Sequence, residues 1–488
     1  MNKQKLFKLL FYTILFLIVY GCNKKKETIK TLFGTNISQK TTDDFIDKQM
    51  KLLNMPALSM AIINNGKVVY HRVKGYANKE KEIFANNQSI FEGASISKSV
   101  FGFFVMTFVD DGILDLDQPL FHYLPNPDIE YDERYKKITA RMVLSHRSGL
   151  PNWRDDYPEK KLFIQFEPGT DYHYSGEGYQ YLAEVLKHLL NTNWAGLEAE
   201  FQKRVAIPFK LEHTKFIQDD FIREHKVQPY DQDGNWIDKN ADKWWRSRDS
   251  VFVAPTTIHT EAIDFSKWMI AMMNNEGLSE NGFNELYKPH SKISTGFLSE
   301  DYTLGFSKLS ILNLGELYSH SGNNTGFSSY FALDKDKKWG FIFFTNSKAG
   351  DQLALNLTYN LLLSGTIGKR ITIGLALLFA TILLISNLIL VFFKKSTMLK
   401  MRKANLRIGL IVYLCIITSL ILMLTINYGI VTYLYPLAIL TVLFLGFKTF
   451  SLIIKHWREY NGKKIELVFQ TVFLLSVLIS GIVIGILQ

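Results

Sequence analysis

Three features of this 488-residue chain predict an α+β fold. Strand-like runs lie near both ends of its central region, helix-period segments lie between them, and four long apolar stretches follow. The expected architecture is a mixed, mostly antiparallel sheet flanked by helices, with a helical subdomain, followed by a four-helix transmembrane region.

The elements read in order. Residues 41–54 have the pattern of an amphipathic helix. Residues 57–64 and 67–76 read as two strands, with Asn65-Gly66 as the tight turn between them. Residues 95–110 are apolar at helical spacing and end near Gly112. Residues 137–149 run into a loop, Ser145-His146-Arg147-Ser148-Gly149. A helix is expected over 178–190 and another over 261–274. The stretch 210–250 is polar, Trp-containing and irregular. Residues 317–320, 327–333 and 339–345 read as closing strands. Strands at both ends with helices between them predict one sheet closed by its termini.

The formal net charge of +10 is unevenly spread. The first 26 residues carry six Lys and no acid, and the region from Lys369 onward has a net charge of +11. That leaves −7 for residues 27–368, a mildly acidic body. Basic residues flanking apolar stretches report membrane topology, and no nucleic-acid partner is expected. The two cysteines, Cys22 and Cys415, exclude a disulfide framework and a Cys-based zinc site. No metal or cofactor is expected.

Lys3, Lys5 and Lys8 precede an apolar run over 9–20, then Gly21 and Cys22. This is the pattern of a signal peptide, residues 1–22. Val19-Tyr20-Gly21-Cys22 resembles a bacterial lipobox, which would make Cys22 a lipidation site; an uncleaved signal anchor is the alternative. A linker over 23–39 leads into a globular domain over 40–365. The membrane domain, 369–488, carries four candidate spans at about 371–393, 408–426, 429–447 and 467–487. Two basic loops, between the first and second spans and after the third, belong in the cytoplasm by the positive-inside rule. The expected location is a bacterial cell membrane, multi-pass, with 27–368 facing the periplasm or exterior. The spans carry no acidic or His cluster, so anchoring is favoured over transport.

Three short motifs suggest chemistry. Ser95-Ile96-Ser97-Lys98 puts Ser95 and Lys98 on one helix face. A desolvated Lys can lose its proton and accept one from a Ser hydroxyl; a simple helix cap at Ser95 is the competing reading. Tyr174-Ser175-Gly176 follows a Pro168-Gly169 turn, and a Tyr held near Lys98 can relay a proton. His320-Ser321-Gly322, followed by Asn323, falls on an edge-like strand that can bind a substrate backbone and present N–H groups to an oxyanion.

Taken together and in this order, the motifs resemble the serine β-lactamase and D,D-peptidase superfamily, in its class C β-lactamase-like branch. Over about residues 40–350, further stretches resemble the family: Met55-Pro56-Ala57-Leu58-Ser59 with 66–70, Leu144 to Pro151 beside its "LLTHTSGLP" stretch, 326–329, and Thr345-Asn346. The resemblance implies Ser95 as the acylated nucleophile, Lys98 as its activator, and Tyr174 as the Tyr of the Tyr-x-Asn motif. It implies His320 at the head of the Lys/His-x-Gly triplet, with Gly322, Asn323 and Gly176 lining the substrate site. The N–H groups of Ser95 and Asn323 would form the oxyanion hole. Gly176 stands where the family has Asn, and His320 where β-lactamases proper have Lys. Ala254-Pro255-Thr256-Thr257 lacks the paired glycines common at that place. These departures favour a D,D-carboxypeptidase, peptidase or esterase over a β-lactamase. The expected function is an exported, membrane-anchored serine hydrolase acting through an acyl-enzyme on D-Ala-type cell-wall peptides or small esters. The competing expectation is a catalytically weak, penicillin-binding or ligand-sensing module coupled to the membrane helices.

Overall fold

The computed structural model describes residues 28–239, 250–295, 298–311 and 315–363. The predicted signal segment with Cys22 and the four predicted spans lie outside the described residues. Among the described residues, no helix is long and apolar enough to cross a membrane.

A short hairpin of β1 (Thr28–Lys30) and β2 (Asn36–Ser38) leads into α1 (Gln39–Leu52). Ser38 caps this helix by accepting the Thr41 N–H at 3.1 Å. β3 (Ala57–Asn64) and β4 (Lys67–Asn78) form the expected hairpin. Asn65 and Gly66 have φ of 51° and 70°, as a turn matched to strand twist requires. β5 (Ile83–Phe84) and β6 (Phe91–Glu92) then lead to a 3-10 turn, Ala94–Ile96, and the central helix α2 (Ser97–Asp110).

The helical half follows: α3 (Ala140–Leu144), α4 (Gly176–Leu189), α5 (Trp194–Phe201) and α6 (Asp220–His225). The chain returns through β7 (His259–Thr260), paired with β6, and then α7 (Ala262–Asn274) and α8 (Glu280–Tyr287). It closes with β8 (Ser291–Ser294), β9 (Leu298–Tyr302), β10 (Ser307–Ile311), β11 (Glu316–Asn324), β12 (Phe327–Asp334), β13 (Trp339–Thr345) and α9 (Gly350–Leu363).

Nine strands form the main sheet in the order β5-β4-β3-β13-β12-β11-β10-β9-β8. Every ladder in it is antiparallel, so the expected mixed sheet is corrected. The reason is connectivity. Consecutive strands are joined by hairpins, and the one long excursion, from β5 to β8, returns the chain to the opposite edge of the sheet. The first and last long strands, β3 and β13, pair at its centre, from Gly340 opposite Ile63 to Thr345 opposite Leu58.

β3 is buried along its whole length, and its side chains split by parity. Leu58, Met60 and Ile62 pack with Ile46 of α1 and Leu353, Leu357 and Leu361 of α9. Ala57, Ala61 and Ile63 face the core that contains Phe265, Trp268 and Met272 of α7. α2 is apolar all round because it is covered all round; Phe101, Phe104 and Phe108 belong to an aromatic cluster with Phe201, Phe216 and Phe252. The N-terminal end of this buried helix carries Ser95 and Lys98 toward β11, where sheet and helical half meet.

Candidate active site

Ser95 lies in the 3-10 turn ahead of α2 and does not cap the helix, whose first turn has no side-chain cap. Ala94, just before it, has φ of +50°, a left-handed conformation that a residue with a Cβ adopts at a cost of about 1 kcal/mol or more. The strain is held in place by close packing. Ser329 Oγ donates to Gly93 O at 2.6 Å. A Cβ on Gly322 would fall 2.2 Å from the same oxygen and 3.0 Å from Ser95 N, so only glycine lets β11 approach the turn this closely.

Lys98 is buried, with Nζ 3.1 Å from Ser95 Oγ and 3.0 Å from Pro255 O. Among the described residues no carboxylate forms an ion pair with it. Burial therefore drives its pKa well below the ordinary lysine value. Tyr174 is buried beside Ser95, and the Lys98 nitrogen sits 4.5 Å from its ring centroid. Burial raises the Tyr174 pKa, so its hydroxyl keeps its proton at neutral pH.

His320 is buried at the same junction. Its Nδ1 lies 2.6 Å from Ser321 O and its Nε2 2.9 Å from the Tyr302 hydroxyl. A carbonyl only accepts, so Nδ1 carries the proton and Nε2 accepts from Tyr302. Burial pushes the His320 pKa down to about 3. The ring is neutral and both nitrogens are engaged within the protein. It lines the site 6.1 Å from the Tyr174 ring without offering a free nitrogen.

The β10–β11 ladder ends where Ser307 meets Ser319, so residues 320–324 have no β10 partner. This is the open edge beside Ser95. The Asn323 side chain is tied elsewhere: Nδ2 donates to Asp351 Oδ1 at 2.9 Å and Oδ1 accepts from Ser328 Oγ at 3.0 Å. What Asn323 can offer a substrate is its backbone. Gly176 begins α4, and a Cβ there would lie 2.9 Å from Asn152 O and 3.0 Å from the Trp153 ring. The space for a larger residue is already filled by that loop.

Several contributors have no signature in the sequence. Pro255 enters through its carbonyl oxygen. Gln180 holds the loop that carries it, donating to Phe252 O at 3.3 Å and accepting from Ala254 N at 3.1 Å. Behind the turn, Glu92 is buried between Lys226 at 2.8 Å and Lys239 at 2.6 Å and accepts from Asn324 Nδ2 at 2.7 Å. Asn324 in turn accepts from Thr256 Oγ1 at 2.6 Å. This network joins β6, the end of β11 and the loop next to Pro255. Burial alone would raise the Glu92 pKa; the two ammonium groups outweigh it and hold the carboxyl below the ordinary range. An acid two residues before Ala94, on an otherwise apolar strand, was the one available signal.

The family model described as Beta-lactamase matches residues 42–365. Protein flp from Staphylococcus aureus (strain MW2) is 21% identical over 330 residues, covering 64% of this chain and 64% of that protein. The chain thus spans 64% of that relative's length. The mitochondrial serine beta-lactamase-like protein LACTB of Mus musculus is 28% identical over 129 residues, 26% of this chain and 23% of that protein. Among solved structures, the octameric penicillin-binding protein homologue from Pyrococcus abyssi has a TM-score of 0.57 at 20% identity, covering 69% of this chain and 82% of that one. The D-alanine carboxypeptidase AmpC from Burkholderia cenocepacia has a TM-score of 0.55 at 17% identity, covering 66% and 97%. These structural likenesses establish the fold, and the family match spans well over half of the sequence. The chain belongs to the beta-lactamase family.

Proposed function

We propose that this protein is an exported, membrane-anchored serine hydrolase that forms an acyl-enzyme on Ser95, acting on D-Ala-type cell-wall peptides or small esters. One observation carries the catalytic reading: a buried amine with no carboxylate partner among the described residues stands 3.1 Å from Ser95 Oγ. Neutral Lys98 takes the Ser95 proton as Oγ attacks the substrate carbonyl. The oxyanion that develops is stabilised by the N–H groups of Ser95 and Asn323. Tyr174, protonated and beside Ser95, passes a proton to the leaving group and is reprotonated from Lys98. Water then releases the acyl group by the reverse relay.

As the base, Lys98 is favoured over Tyr174, because burial lowers the lysine pKa and raises that of the tyrosine. The open β11 edge suits an extended peptide, which can add to it as a strand. The absence of an amide side chain at Gly176 favours ester or carboxypeptidase substrates over β-lactams. The D-alanyl part of the reading is supported by a structural neighbour described as a D-alanine carboxypeptidase. Export and anchoring are supported by the basic N-terminus and the charge asymmetry of the loops after 369.

The test is covalent labelling of the full chain in detergent with a fluorophosphonate and a fluorescent penicillin. Label is expected on the wild type and absent from Ser95→Ala. Labelling that persists in Ser95→Ala overturns the assignment of the nucleophile.

A further inference from the structure

His146 sits in the turn after α3 with φ of +59°, a left-handed conformation unusual for a side chain of its size. The turn is fastened on several sides. The His146 N–H donates to Val143 O at 3.0 Å, Arg147 N to Met142 O at 2.6 Å, and Ser291 Oγ to Ser145 O at 2.7 Å. The strain is therefore imposed by the surroundings and has a visible result.

That result is a bracket around Tyr174. The His146 carbonyl accepts from His173 N at 2.8 Å, and its Nδ1 accepts from Ser175 N at 3.0 Å. The residues before and after Tyr174 are thus both held by one residue 28 positions earlier in the chain. The imidazole also lies against the Tyr174 ring, with centroids 4.3 Å apart and planes at 39°. On its other sides it meets the rings of Tyr302 at 4.7 Å and Tyr179 at 5.2 Å. Since Nδ1 accepts a backbone N–H, the ring proton is on the buried Nε2, which has no hydrogen-bond partner among the described residues. The position demands an acceptor at the δ atom.

We propose that His146 is a positioning residue for Tyr174: it holds the backbone on both sides of the phenol and its ring from the side, and so fixes the hydroxyl at Ser95. The inference rests on the reading of Tyr174 as proton carrier given above. It assigns His146 to the proton-transfer step and not to substrate binding. Burial keeps the imidazole neutral, which the acceptor role requires.

The test uses the full chain in detergent, a chromogenic ester, active sites counted by fluorophosphonate burst, and melting curves for every variant. His146→Phe keeps a ring and loses the acceptor; its kcat is expected to fall about a hundredfold with KM within about twofold. His146→Asn keeps an acceptor at the δ position and tolerates the left-handed backbone, and is expected to recover most of that loss. His146→Gln carries its oxygen one atom further out and is expected not to recover it. If His146→Phe does not fold, the Asn and Gln pair decides. Wild-type kcat in His146→Phe, equal kcat in the Asn and Gln variants, or a rise in KM at unchanged kcat would overturn the inference. Turnover that survives Ser95→Ala overturns the nucleophile assignment and this inference together; loss in Ser95→Ala with an unaffected His146→Phe overturns this inference alone.

Discussion

Glu92 and Lys98 are buried ionisable groups six residues apart, on either side of the Ala94–Ile96 turn, and their surroundings treat them in opposite ways. Glu92 lies between two lysines and an asparagine amide, and it stays charged. Lys98 meets a hydroxyl, a carbonyl and aromatic rings, and it is driven toward the neutral amine. A buried charge with its counter-charges in place is scaffold, because its removal strands those partners. A buried amine without a counter-charge holds its proton less tightly, because desolvation disfavours the charged form. The same short segment holds one of each, so the turn bearing Ser95 is braced on one side and activated on the other.

The largest expected effect tests the reactive half. Lys98→Met replaces the amine with an apolar chain of similar length and should lower the rate of Ser95 acylation about a thousandfold. Its melting temperature should hold or rise, since an uncompensated polar group has left the core. Stopped-flow acylation with a chromogenic ester and a thermal melt check both. A melting temperature that drops as far as in a Glu92 variant would erase the contrast. The wild-type pH profile should agree: protonation of Lys98 removes its lone pair, so kcat/KM rises with pH through the Lys98 pKa and levels off above it.

The braced half is tested by Glu92→Gln, which keeps the shape but leaves Lys226 and Lys239 facing each other without an anion. A loss of about 3 kcal/mol in unfolding free energy is expected by denaturant titration. The activity of the remaining folded enzyme should change far less than in Lys98→Met. The linkage sign is that of a depressed acid: the stability Glu92 supplies is present above its unfolded pKa and is lost as pH falls through the lower folded value. On acidification, activity should therefore fail before the fold does.

A third buried group extends the comparison, with no effect expected on activity. Glu261 caps α7, accepting from Ile263 N and Asp264 N at 2.6 Å each. Burial pushes its pKa up to about 7, with the backbone bonds opposing. Its folded form binds a proton more tightly than its unfolded form, so stability falls as pH rises from the ordinary carboxylate range to about 7. At about 1.4 kcal/mol per pKa unit, the change is about 3 kcal/mol across that window. Glu261→Gln should flatten this part of the stability-against-pH curve and leave kcat unchanged. An unaltered slope would show that Glu261 is no more strained than a surface acid.

Much of this arrangement can be read from the residues in order. The Ser95–Lys98 spacing, the Asn65-Gly66 turn and the apolar run along 57–64 are local patterns with local causes. The boundaries are less legible. α2 begins at Ser97 after a 3-10 turn, not at Ser95, because β11 pressing on the turn holds Ala94 out of the helix. α4 begins two residues before the expected 178, because Ser175 caps it by accepting from Gly178 N. His320 reads as a group for substrate, yet Tyr302 and Ser321 occupy both its nitrogens.

The sequence by itself determined the central strands 57–64, 67–76, 327–333 and 339–345, the helices near 95–110, 178–190 and 261–274, the order of the three motifs, and the charge pattern that sets 27–368 apart from the segments around it. Those follow from periodicity and composition, which are properties of neighbours along the chain. Only the tertiary structure decided the protonation states. Lys98 meets Pro255 from 157 residues away, and Glu92 meets Asn324 from 232 residues away. A pKa is set by desolvation and by the charges within a few ångströms, and a sequence position carries no information about either until the chain has folded.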